Sequence, residues 1–171
     1  MDDLARIAGA ARTLRRSCDR GSGVPDLALL ADDLGVRVRY FPLGDLKGFY
    51  LLLEDIPFIV LNRALPEPVL RIVCAHEFGH HLLHRELAGK TVFNEYELYQ
   101  MENRLEREAN LFAAYLLIPD SAVDAFRAPE QRGRSVGETA RLLGTTEELF
   151  AIRLKAEGLP ADVRVSRFPS E

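Results

Sequence analysis

The string His76-Glu77-Phe78-Gly79-His80 places two imidazoles four positions apart, a spacing that sets both rings on one face of a helix, about 40° from each other. Two ring nitrogens held this way can share one divalent metal ion. Glu77 lies about 100° around the helix from His76, close enough to reach a water beside the metal but poorly placed as a ligand. That arrangement suits metal-assisted hydrolysis with Glu77 as general base. The flanking Ile72, Val73, Leu82 and Leu83 mark the helix as largely buried, which argues against three polar side chains on a solvated surface.

Tetrahedral zinc bound to two histidines and a water needs one more protein donor. It does not lie on the same helix: an extended HExxHxxGxxH would require histidine where the chain has Glu86, and glycine where it has Leu83. His84, one turn beyond His80, is read as a polar flank or a group supporting a ligand. The run LEREANLFAAYLLIP is the better source. With Ala109 at the centre of its apolar face, Leu105, Phe112, Ala113, Leu116 and Glu106 all fall within about 60°, while Glu108 lies about 100° away. A carboxylate inside an apolar stripe is costly unless a cation neutralises it. Glu106 is therefore the preferred third ligand; Glu108, on the flank and needing no partner, is the runner-up. Asn110, one turn after Glu106, is placed to orient a ligand. The small Gly79, Ala109 and Ala113 would let the two helices approach as a shared metal requires. The same donors accept manganese as well as zinc.

The elements that must position these residues are legible in the periodicity. Leu4, Ile7, Ala8, Ala11 and Leu14 recur at helical spacing, and Val24-Pro25-Asp26 opens a second short helix that Gly35 ends. Val36–Phe41, Phe49–Leu53 and Pro57–Leu61 read as three strands, the last two joined by a tight turn at Glu54-Asp55. Pro57 marks its strand as an edge, open to an extended substrate by strand addition. Pro66 and Pro68 suit the first turn of the long HExxH helix, which runs to about Arg85. The glutamate-bearing helix spans about Met101 to Leu117 and stops at Pro119. The polar stretch from Ala128 to Arg134 reads as a linker. Ser135 with Glu138, and Thr145 with Glu148, have capping-box spacing, so two short helices meet at Gly144 in a helix-turn-helix outline.

The fold expectation is α+β: a small antiparallel or mixed three-stranded sheet packed on the HExxH helix and the second helix. One domain of 171 residues is expected, with a metal-bearing core over residues 1–127 and a C-terminal helix pair over 135–158.

Composition narrows the function further. Lys and Arg total 22 against 26 Asp and Glu, a net charge of -4, and no basic stripe is visible. Duplex DNA binding draws its affinity from such a stripe, so direct DNA binding is not expected. In the C-terminal helices Arg141, Arg153 and Lys155 are offset by Glu138, Glu147, Glu148 and Glu157. Cys18 and Cys74 offer no disulfide framework, Cys74 reading as a buried small residue and Cys18 as a solvated helix end. No apolar run approaches the ~18 residues of a membrane span, and the start lacks the features of a signal peptide, so a cytoplasmic location is expected.

HEFGH, followed 26 residues after its last histidine by the glutamate of ExxAN and then FAAYLLIP, resembles the ImmA/IrrE family of metallopeptidases, a minimal branch of the gluzincins. Gly48, the strand ending Ile59-Val60-Leu61-Asn62 and the helix pair after Ser135 are similar to that family too. The resemblance implies zinc ligands at His76, His80 and Glu106, a catalytic Glu77, and an intracellular endopeptidase. It also implies a protein substrate, a helix-turn-helix repressor whose cleavage derepresses genes. From the length, no added sensor or repressor domain of the kind larger relatives carry is expected. The rival expectation is a binding module that sequesters a repressor without cutting it, its zinc being structural. An oxyanion donor is expected among Tyr50, Tyr96 and Tyr99, which the sequence does not separate.

Overall fold

A computed structural model of the chain describes residues 3–19, 21, 23–88, 93–95, 103–128 and 135–161. Helix α1 (Asp3–Cys18) leads to α2 (Leu27–Leu34), which Asp26 caps by accepting from the N–H groups of Ala28 and Leu29. Gly35 ends α2 at φ 65°, a left-handed conformation that lets its N–H return to the last carbonyls. Strands β1 (Arg37–Phe41), β2 (Gly48–Leu53) and β3 (Ile56–Asn62) follow, and then α3 (Glu67–Leu83). The short α4 (Arg85–Ala88) and β4 (Phe93–Glu95) precede α5 (Arg104–Leu117) and α6 (Asp120–Arg127). Two more helices, α7 (Val136–Leu142) and α8 (Glu147–Ala156), complete the described chain.

The architecture is α+β, with one mixed sheet in the order β1-β3-β2-β4. Glu54 and Asp55 both take positive φ, the geometry of a hairpin turn that matches the strand twist, so β2 and β3 pair antiparallel from Leu53↔Ile56 to Gly48↔Leu61. On its other side β3 pairs parallel with β1, from Arg37↔Phe58 to Phe41↔Asn62. The strand holding Pro57 is therefore central, which corrects the expectation of an edge strand open to substrate. Proline is tolerated because the parallel ladder begins only at Phe58, so its missing N–H falls beyond the end of that ladder. The outer strands are β1 and the three-residue β4, the latter not foreseen from the sequence.

Helix α3 lies between this sheet and α5, and a glycine admits each neighbour. A Cβ on Gly48 of β2 would stand 2.6 Å from Val73 Cγ1, and a Cβ on Gly79 would stand 2.9 Å from Ala109 Cα. Such separations lie well inside the ~3.5–4.0 Å of ordinary carbon contact, so both sites require the absent side chain. Ile59, Leu61, Ile72, Val73 and Phe78 fill the core on the sheet side, while Phe112, Ala113 and Leu116 fill it from α5. Burying each large apolar side chain contributes about 1.5–3 kcal/mol.

The C-terminal pair joins the same core. Ser135 and Glu138 form the expected capping box, whereas α8 is capped one residue later than expected, by Thr146 through the N–H of Leu149. Every residue from Leu149 to Leu154 is buried, and the ring of Phe150 meets that of Phe126 edge-on at 5.4 Å. Arg153, only 1% exposed, pairs with Asp120 and Glu157 and lies over the Tyr115 ring at 3.9 Å. Tyr115 is thus a packing residue, as its position on α5 implies. Residues 129–134 of the expected linker lie outside the described residues. Cys18 is buried rather than solvated, because α1 packs along α5 and its last turn is covered.

Candidate metal centre

Pro66 and Pro68 start α3 where no N–H partner is needed, and the helix continues without interruption through the HExxH string. His76, Glu77 and His80 are all buried on it. Helix α5, capped by Asn103, carries Glu106 on the face turned to α3. Three donor atoms meet there: His76 Nε2 and His80 Nε2 are 3.0 Å apart, and Glu106 Oε2 lies 3.1 Å from the first and 3.5 Å from the second. A tetrahedral zinc with bonds of about 2.0–2.1 Å separates its ligand atoms by about 3.3 Å. The three edges match one face of that tetrahedron. His76, His80 and Glu106 form the one three-ligand group of this kind among the described residues.

The electrostatics favour the states that a cation needs. Burial lowers the His80 pKa to about 4, which keeps the ring neutral. Asn110 Oδ1 lies 3.0 Å from His76 Nδ1 and can only accept, so Nδ1–H donates to it and the neutral ring turns Nε2 toward His80 and Glu106. Two imidazoles and one carboxylate form a donor set suited to a divalent transition metal.

Glu108, the alternative third ligand, is held elsewhere. Its Oε1 accepts from Arg104 Nε at 2.7 Å and its Oε2 from His84 Nε2 at 3.1 Å. It is also the more buried carboxylate, its side chain 8% exposed against 16% for Glu106. The expectation that Glu108 needs no partner is thus overturned: α5 turns far enough that the flank is covered, and two side chains satisfy it. That interaction was visible only as two i,i+4 pairs, Arg104 with Glu108 and His80 with His84, which the sequence does not connect.

Tyr50 is fully buried and its hydroxyl lies 3.0 Å from His81 Nδ1, so it fastens β2 to α3 on the face away from α5. His81 is buried against that ring, and burial lowers its pKa to about 4. Tyr96 and Tyr99 lie outside the described residues. Cys74 is buried away from the donor set, and burial pushes its thiol up to about 12.

Comparison with known proteins agrees with this geometry. A family model described as IrrE N-terminal-like domain, of the M78 peptidases, matches residues 31–155. A protein of Bacillus phage phi105 named "Uncharacterized immunity region protein 2" is 35% identical over 86 residues, half of this chain and 53% of its own length. The "Radiation response metalloprotease IrrE" of Deinococcus deserti is 29% identical over 156 residues, 86% of this chain and 54% of its own length. The chain spans about half the length of the curated relatives it matches. The family match covers the sheet, α3 and α5 together, and the chain belongs to the IrrE N-terminal-like family of M78 peptidases.

Proposed function

We propose that the protein is a zinc-dependent endopeptidase, with His76, His80 and Glu106 as metal ligands and Glu77 as general base. The observation that carries the reading is the tetrahedral spacing of the three donor atoms, with the buried Glu77 following His76 on α3. Zinc at these ligands would supply Lewis acidity, polarising a peptide carbonyl and acidifying a water. Glu77 takes the proton from the attacking water and delivers it to the leaving amine, which needs a carboxylate that is not itself a ligand. His76, held through Asn110, keeps its donor atom aimed at the shared point. A purely structural zinc site closes all four positions with protein donors; the cluster offers three among the described residues, so a sequestering module is not the reading favoured.

The substrate we propose is a helix-turn-helix repressor, cleaved in the cytoplasm to derepress genes. Support comes from the resemblance to ImmA/IrrE peptidases and from the phage relative, which is named for an immunity region. No described helix is long and apolar enough to cross a membrane. With β3 central, an extended substrate would add to one of the outer strands, β1 or β4.

The test incubates wild type and Glu77→Gln with helix-turn-helix repressors from the same genome, with and without zinc or manganese, and reads intact mass. Metal-dependent fragments from wild type alone are expected, while the variant retains metal. Equal cleavage by Glu77→Gln would refute the mechanism. Equal binding without fragments would favour the sequestering module.

A further inference from the structure

His80 differs from His76 in what stands behind it. Asn110 presents a carbonyl oxygen to His76, but His80 Nδ1 faces another imidazole nitrogen, His84 Nδ1, at 3.0 Å. An imidazole nitrogen can donate or accept, so that contact alone does not place the proton. The next link does. His84 Nε2 lies 3.1 Å from Glu108 Oε2, and a carboxylate can only accept, so His84 Nε2 carries its hydrogen. The carboxylate form of Glu108 is fixed in turn by Arg104 at 2.7 Å and by Arg6 at 3.8 Å. In a neutral ring one nitrogen is protonated, so His84 Nδ1 is an acceptor, His80 Nδ1–H donates to it, and His80 Nε2 is left bare.

We propose that Glu108 and His84 are positioning residues that fix His80 in the tautomer whose Nε2 lone pair points at His76 Nε2 and Glu106 Oε2. The proposal rests on the reading of these three atoms as a metal site. It gives α5 a threefold role, since that one helix supplies the ligand Glu106, the brace Asn110 behind His76, and the origin of the chain Glu108 to His84 to His80. The metal then meets both imidazoles in the correct tautomer, with no proton to shift and no ring to turn on binding. Glu108 is buried without being a ligand because its service is to the ring behind the ligand.

The test uses the full chain and three variants. His84→Leu keeps the volume and removes the acceptor; His84→Gln supplies a carbonyl oxygen where the ring nitrogen stood; Glu108→Leu leaves His84 in place without its anchor. Zinc affinity is read by competition with a chromogenic chelator, and the His80 tautomer by long-range proton–nitrogen NMR of the metal-free protein at neutral pH. His84→Leu and Glu108→Leu are expected to bind zinc about 10–100-fold more weakly than wild type and to show mixed His80 tautomers. His84→Gln is expected to keep the Nδ1–H form and an affinity within about threefold of wild type, as a carbonyl already does for His76. Wild-type affinity in His84→Leu with an unchanged tautomer would overturn the proposal, as would a folded His84→Gln as weak as His84→Leu. Should His84→Leu not fold, Glu108→Leu carries the same comparison. Failure of wild type to bind zinc would sink the metallopeptidase reading instead, and the tautomer in the metal-free protein would still decide this one.

Discussion

Gly79→Ala tests the claim that the metal centre depends on how closely α3 approaches α5. The added Cβ would stand 2.9 Å from Ala109 Cα, 3.2 Å from its carbonyl oxygen and 3.3 Å from its Cβ, and the first two are backbone atoms that cannot rotate aside. Restoring ordinary carbon contact requires the helices to separate by about 0.7 Å. Both histidines ride on α3 and Glu106 on α5, so the separation falls on the two edges that now measure 3.1 and 3.5 Å. Ligand distances tolerate only about ±0.2 Å, and Glu106 can recover part of the gap by changing rotamer. Zinc affinity should fall about 10–100-fold, or roughly 1.4–2.8 kcal/mol. Folding should suffer less, because overpacking of about 1–3 kcal/mol is offset by about 1 kcal/mol of helix preference for alanine over glycine. The assay pairs chelator competition with thermal melting of the metal-free protein. Gly9→Ala on α1 is the control: its Cβ meets nothing within 4 Å, so it should stabilise by about 0.5–1 kcal/mol and leave zinc binding untouched. Zinc affinity within threefold of wild type in Gly79→Ala would refute the argument from helix approach.

Two further outcomes follow from the chain away from the site. A hydrogen bond from Arg12 holds Asp120 below the ordinary carboxylate range against some desolvation, with Arg153 adding charge. A depressed folded pKa means that this stabilisation is present above about pH 4 and is lost as pH falls through and below that value. Asp120→Asn should therefore destabilise at pH 7 and leave a shallower acid dependence of the melting temperature; an unchanged acid slope would show that Asp120 does not hold α6 to α1 and α8. Cys74 is pushed up to about 12 and Cys18 is also raised, both chiefly by burial. At neutral pH a thiol reagent should then modify both only as fast as the protein opens, and a rapid burst of one equivalent would contradict their burial.

The cluster of His76, His80 and Glu106 was the most readable part of the chain, because HExxH spacing sets two imidazoles on one helical face; burial did not single out the carboxylate, since Glu108 is the more buried of the two on α5. Helix ends were nearly as plain, since Asp26, Gly35, Ser135 and Pro119 act locally. Sheet order was not. Pro57 says that an N–H is missing but not which side of the strand lacks a neighbour, and the parallel pairing of β1 with β3 spans a connection that no local signal announces. The support behind His80 was hidden for a similar reason. It runs from α5 to the end of α3 and back, and each link taken alone is an ordinary polar residue.

The burial of α8 on every side sets a lower limit on how far the chain can be trimmed. Leu149, Phe150 and Leu154 pack within the core that includes α5, and Arg153 closes over Tyr115 of that same helix. A fragment ending before Ser135 would keep every residue assigned to the metal and to proton transfer, yet it would uncover the back of the helix that presents Glu106. The smallest working unit of this fold therefore includes a segment that contributes no reacting group, and a nick within it would act as an off-switch located far from the chemistry.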